Sequence, residues 1–125
     1  MVNEDNIFQV DKCSIYGTIN SGEKKITIDK LAEKELKKCS HLSKLKFKAV
    51  FNALSKHGYL KHPVAKKLAG YQNLYEIRIR TDKNWRAIYA YTSKNKVVIL
   101  SSFIKKTQKT PQKELLKARQ RLMKY

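Results

Sequence analysis

Residues 74–80 read LYEIRIR, 81–84 TDKN, 85–91 WRAIYAY, 92–96 TSKNK and 97–104 VVILSSFI; the chain then runs through KKTQKTP (105–111) into QKELLKARQRLMKY (112–125). In the first run Tyr75, Ile77 and Ile79 alternate with Glu76, Arg78 and Arg80, the period-two pattern of a strand with one apolar and one charged face. In the second, Trp85, Ala87, Tyr89 and Tyr91 share a face opposite Arg86, Ile88 and Ala90, which leaves open the side that is buried. The third run, Val97 to Ile104, is apolar on both faces, as a covered strand is. Turns at Thr81–Asn84 and Ser93–Asn95 are short, so the three strands form an antiparallel meander. Thr110 with Pro111 then opens a helix that carries Leu115, Leu116, Ala118, Leu122 and Met123 among many cations.

Upstream, residues 1–6 are a polar start. Phe8, Val10, Ile15, Tyr16 and Ile19 suggest one or two short strands within residues 7–20, closed by a turn at Asn20-Ser21-Gly22. A helical region is expected from Ile28 to His57, capped by Asp29, interrupted or re-capped at Ser40 and stopped by Gly58 in a left-handed conformation. Leu42, Leu45, Ala49, Val50, Phe51 and Leu54 mark its core-facing stripe. The segment from His62 to Gly70, with Pro63 near its start and Gly70 at its end, suggests one or two helical turns. The resulting fold class is α+β: N-terminal helices packed on one face of an antiparallel meander, a C-terminal helix, and the other sheet face left to Arg and Lys.

The 125 residues are expected to form one domain spanning 1–125, and 42% apolar content is that of a globular chain. Net charge is +18. It is concentrated: residues 1–60 hold 11 Lys/Arg against 7 Asp/Glu, and residues 61–125 hold 17 against 3. Self-repulsion on this scale is offset by a polyanionic partner, which the C-terminal half would face. Cys13 and Cys39 have no metal or redox spacing and read as free thiols in a reducing compartment. No signal peptide and no membrane-length apolar run is seen, so a cytoplasmic protein without membrane contact is expected.

Catalysis by paired carboxylates has little to draw on, since the C-terminal half contains only Glu76, Asp82 and Glu114. His41, His57 and His62 are scattered, and no metal-ligand, Ser-His-Asp or phosphate-loop spacing occurs. What remains is Arg, Lys and Tyr. Such a set suits phosphodiester transfer by the 2′-hydroxyl of RNA, because guanidinium groups stabilise the charge that develops on the phosphoryl oxygens. A Lys lowered in pKa by cationic neighbours, or a Tyr, can move the proton. From charge alone, a face that binds phosphates without chemistry is the commoner case. Trp85, Tyr89 and Tyr91 fit either base stacking or the core, and aromatic strand residues are more often core.

Leu74-Tyr75-Glu76-Ile77-Arg78, Arg86 followed by Tyr89, and Phe103-Ile104-Lys105-Lys106-Thr107-Gln108-Lys109-Thr110-Pro111 resemble the RelE/HigB family of bacterial and phage toxins. The similarity is greatest to its HigB-like, phage-derived branch. It covers about residues 42–125; the first 40 residues match loosely, and 1–27 read as an extension. The resemblance implies a small α+β fold and the toxin of a type II toxin–antitoxin pair, an endoribonuclease that cleaves mRNA on the ribosome and is silenced by a cognate antitoxin, here a HigA-like helix-turn-helix protein. It places Arg86 on the catalytic, phosphate-binding arginine. Lys105 and Lys106 fall on the catalytic basic pair, and Arg78, Arg80 and Lys109 on phosphate-binding positions. Many HigB-like members have a His where this chain has Ser101. Tyr125 is the candidate for the family's acid/base Tyr near the last helix. No metal and no cofactor is implied. The alternatives are a non-enzymatic gyrase inhibitor of the ParE kind or a basic nucleic-acid-binding module.

Overall fold

A strand apolar on both faces must be covered on both, and this requirement shapes the molecule. The computed structural model describes residues 24–93 and 95–125; Cys13 and the strands and turn expected before residue 24 lie outside them. The elements are β1 (Lys25–Ile28), α1 (Lys30–Leu36), α2 (His41–His57), β2 (Ala65–Lys67), β3 (Tyr75–Arg80), β4 (Asn84–Ser93), β5 (Lys96–Ile104) and α3 (Gln112–Leu122). The five strands form one sheet in the order β1-β5-β4-β3-β2. The β3–β4–β5 meander is antiparallel as expected, with Arg78 opposite Arg86 and Arg86 opposite Phe103.

Two edge strands were not foreseen. Lys25–Ile28 pairs parallel with β5, so Ile28 ends a strand rather than starting a helix. Its KITI sequence alternates, but four residues are too few for a periodic signal. The helical turns expected between His62 and Gly70 are replaced by β2, whose Lys66 lies opposite Glu76. There the open edge of β3 recruits a backbone partner, and this overrides a weak local helix signal.

Both sheet faces carry a core. On one, Phe47, Phe51 and Leu54 of α2 and Leu36 of α1 pack with Ile77, Ile79, Trp85, Ala87, Tyr89, Val97 and Ile99. On the other, Leu115 and Ala118 of α3 pack with Leu68, Leu74, Ile88, Ala90, Val98, Leu100 and Phe103. The expectation of helices on a single face is thus corrected: α3 covers much of the second face, and the cations hold only what remains. The α2 stripe is also rotated from the expected one. Ser43, Phe47, Phe51 and Leu54 are buried, whereas Leu42 and Leu45 are 57% and 45% exposed. Leu116 of α3 and Met123 just after it likewise point outward.

Caps follow the sequence more closely. The Asp29 carboxylate accepts from the Leu31 amide, and the Ser40 hydroxyl oxygen accepts from the Ser43 amide and starts α2. Gly58 closes α2 at φ 81°, its amide donating to the Leu54 carbonyl. An L side chain there is strained, so Gly58→Ala is expected to lower unfolding free energy by about 1 kcal/mol, as measured by urea denaturation; an unchanged midpoint would show that the cap relaxes without cost. At α3, Pro111 is the cap residue and offers no side-chain hydrogen bond. The hydroxyl of Thr110, the expected opener of this helix, is engaged elsewhere.

Beyond β1, the outer edge of β5 is met by side chains. Leu100 is the unpaired residue of a bulge between the Ile88–Ser101 and Tyr89–Ile99 pairs. Its carbonyl accepts from Arg121 Nη1 at 2.8 Å, and the Ser102 amide donates to Glu35 Oε1 at 3.1 Å. Glu35 and Arg121 are themselves paired at 2.9 and 3.1 Å. One two-residue ion pair therefore satisfies exposed strand groups and ties α1 to α3.

Candidate active site

Alternation along β3 puts Glu76, Arg78 and Arg80 on the α3 side of the sheet, and the β3–β4 register sets Arg86 beside Arg78. Just past β5, the Lys105 amide donates to the Asn84 carbonyl, which brings the Lys105 side chain to the same place. All meet at one carboxylate. Glu76 Oε1 lies 3.9 Å from Arg78 Nε, 3.6 Å from Arg86 Nε and 3.8 Å from Lys105 Nζ. The Glu76 side chain is fully buried, and those of Arg78, Arg86 and Lys105 are 31%, 12% and 7% exposed. Glu76 Oε2 accepts a short hydrogen bond from the Thr110 hydroxyl, so the loop after β5 is pinned to the middle of the sheet.

Three cations against one carboxylate leave an excess of positive charge in a partly desolvated cluster, where Coulomb interactions exceed their strength in water. Charge is unfulfilled in detail too: Glu76 Oε1, Arg78 Nε and Arg86 Nε have no hydrogen-bond partner. The fork of Arg86 is held from behind, Nη1 donating to the Trp85 carbonyl at 3.0 Å. Burial draws the Arg86 pKa down, and Arg78 and Arg80 add to this while Glu76 opposes it. Lys105 is lowered in the same way, first by burial and then by Arg86, Lys66 and Arg78, against the opposing pull of Glu76. A Lys in this condition gives up its proton more readily than a solvated one. The arrangement can bind a phosphodiester, neutralise charge growing on it and accept a proton beside it.

The structure brings together Arg78, Arg86 and Lys105, with Arg80 exposed at the end of the same row. Lys106 and Lys109 are exposed on the following loop, outside the Glu76 cluster. Tyr125 stands apart. Its hydroxyl donates to Asp29 Oδ1 at 2.8 Å, at the far end of an α3 that is roughly 16 Å long, and burial together with this bond pushes its pKa up to about 12. Ser101 is buried opposite Ile88, and its Oγ has no partner. Tyr89 belongs to the core, stacked on Tyr75 at 5.3 Å between ring centroids. Among the described residues no three His, Cys, Asp or Glu side chains converge as metal ligands, and no helix is long and apolar enough to cross a membrane.

The residue that sequence reasoning passed over is Glu76. A signal was present: one acidic residue on a strand face that otherwise carries only Arg. Its meaning depends on Arg86 and Lys105, which the sheet register brings to it from 10 and 29 positions away.

Comparisons with known proteins agree with this architecture. The chain is similar to a double arginine-to-alanine mutant of the Escherichia coli toxin RelE in the free state, with TM-score 0.57, 18% identity and coverage of 82% of this chain and 96% of that one. It is also similar to a chain of the toxin–antitoxin complex RelBE2 from Mycobacterium tuberculosis, with TM-score 0.53, 20% identity and coverage of 66% and 99%. No curated protein sequence matches it significantly. The profile of the family described as phage-derived protein Gp49-like matches residues 34–123. With most of its length matched and with the fold of the RelE toxins, the chain belongs to the phage-derived Gp49-like family.

Proposed function

We propose that the protein is the toxin of a type II toxin–antitoxin pair and acts as a metal-independent endoribonuclease on mRNA at the ribosome in the cytoplasm. The observation that carries this reading is the convergence of Arg86 and Lys105 in a largely buried, positively charged cluster on the sheet. The RelE-like fold supports it, and a relative solved as a toxin–antitoxin complex supports a cognate antitoxin as partner; we assign that antitoxin to the HigA-like helix-turn-helix class.

In the proposed reaction Arg86 grips the scissile phosphate and stabilises the pentacoordinate transition state, while Arg78 and Arg80 bind neighbouring phosphates and the exposed Lys106 and Lys109 guide the strand electrostatically. Lys105, lowered in pKa by burial and by its cationic neighbours, takes the proton of the 2′-hydroxyl. The hydroxyl oxygen attacks phosphorus, the P–O5′ bond breaks, and water protonates the departing 5′-oxygen. Products are a 2′,3′-cyclic phosphate and a 5′-hydroxyl.

Purified protein is therefore expected to cleave ribosome-free RNA at undiminished rate in excess chelator and to leave these termini, as read by end-labelling of the fragments. Cleavage abolished by chelator and restored by Mg²⁺ would overturn the mechanism. After induction in cells, primer extension on mRNA is expected to show new 5′ ends. DNA damage with intact mRNA would point to gyrase inhibition instead.

A further inference from the structure

Glu76 is the one described acidic side chain in the cation cluster, and its fully buried position keeps it off any substrate. Burying a carboxylate in a sheet is costly unless it is paired and hydrogen-bonded. Here one oxygen takes the Thr110 hydroxyl, and the other stands among three cations at 3.6–3.9 Å, too far for a hydrogen bond to any of them. Each cation is drawn to a common centre without being hydrogen-bonded to it. Strand and loop also reach that centre by different routes, Arg78 and Arg86 from the sheet and Lys105 with Thr110 from the segment after β5.

We propose that Glu76 is a positioning residue: its buried carboxylate gathers Arg86 and Lys105 into the geometry of one phosphate site and, through Thr110, fixes the basic loop 105–111 against the sheet. It acts through these groups and touches no reacting atom. The proposal rests on the reading of Arg86 and Lys105 as the catalytic pair, and it gives that site its order. It also sets the charge state of the base. Lys105 is faced by Glu76 and Arg78 of β3, Arg86 of β4 and Lys66 of β2; of these Glu76 alone favours the ammonium form. Removing the negative charge leaves Lys105 among like charges in a buried site, so its pKa must fall further.

The test is Glu76→Gln, which keeps the shape and leaves an acceptor for Thr110. The Lys105 ammonium is titrated by ¹⁵N NMR in the folded wild-type and variant proteins, beside pH profiles of RNA cleavage. The Lys105 midpoint is expected to drop by about one pH unit or more, and the ascending limb of the cleavage profile to move to lower pH with it. A Thr110→Val variant, which keeps the carboxylate, is expected to leave the midpoint near the wild-type value while weakening cleavage. An unmoved midpoint in folded Glu76→Gln protein overturns the proposal. So does loss of cleavage at every pH with Lys105 unmoved. If the wild type cleaves no RNA, the nuclease reading fails, yet the NMR midpoint still decides the role of Glu76. If Glu76→Gln does not fold, Glu76→Asp provides the second reading: it keeps the charge but shortens the reach, and a midpoint and cleavage rate both equal to wild type would overturn the role.

Discussion

Arg86→Ala is expected to reduce RNA cleavage by about 10²–10³-fold, the effect of removing one preorganised donor from a charge-stabilising site, while the protein stays folded. The expectation follows from three features. Arg86 is the middle cation of the cluster, its side chain only 12% exposed, so its interaction with a phosphate is screened less than that of a surface Arg. Its Nη1 is anchored on the Trp85 carbonyl, so little reorganisation is needed when charge develops. Its loss leaves Glu76 with Arg78, Lys105 and Thr110, so no buried carboxylate is stranded and the melting temperature should move little. Arg86→Lys keeps the charge but not the planar fork and should fall between the two. RNA binding by Arg86→Ala should weaken with a salt slope smaller by about one, and this separates loss of a phosphate contact from loss of catalysis alone. Wild-type cleavage by a folded Arg86→Ala protein would remove Arg86 from the reaction.

The meander and its charged face were readable because each depends on local alternation. Tyr75, Ile77 and Ile79 against Glu76, Arg78 and Arg80 specify a strand and its sides within six residues, and Arg86 follows after a short turn. The Asp29, Ser40 and Gly58 caps were readable for the same reason, since a cap is chemistry between residues two to four apart. What stayed hidden is non-local. β1 and β2 exist because β5 and β3 have edges to pair, and their own four and three residues carry too little pattern to declare a strand. Leu42 and Leu45 were placed in the core by spacing alone, but the α2–sheet contact selects Phe47, Phe51 and Leu54 instead. Within the site, the Lys105-Lys106 pair read as a unit. The turn out of β5 separates them, burying Lys105 in the Glu76 cluster and leaving Lys106 in solvent.

Tyr125 ends not at the phosphate site but in a second ionic centre. There Arg121, Lys117 and Lys124 from the α3 end of the chain meet Glu35 and Asp29. Breaking this centre is expected to cost more stability than disturbing the Gly58 cap. Arg121→Ala removes the bidentate partner of Glu35 and the donor to the Leu100 carbonyl, leaving a mostly buried carboxylate held only by Lys117 and the Ser102 amide and a buried strand carbonyl without its donor. A loss of about 3 kcal/mol follows, or a melting point lower by about 10 °C at this chain length. Glu35→Ala should cost a similar amount, and the double mutant little more than either. A double-mutant cycle is thus expected to give a coupling of about 2 kcal/mol, and additive losses would show that the pair contributes nothing as a unit. The same centre sets the acid response. Burial alone would raise the Glu35 carboxyl, but the Arg121 and Lys117 bonds and the Ser102 amide outweigh it and hold the pKa below its ordinary 4.5. Asp29 is likewise pushed up by burial but held below 3.8 by the Tyr125 hydroxyl, Lys124 and the Leu31 amide. A carboxyl whose folded pKa is depressed contributes its stability above the unfolded value and loses it as pH falls through the folded one. Wild-type stability measured by denaturant titration should therefore be level from neutral pH down to about 5 and fall below about 4.5. Glu35→Ala, lacking one of the two carboxyls, should show a shallower fall, and an equal slope in both proteins would place the acid-sensitive interaction outside this centre.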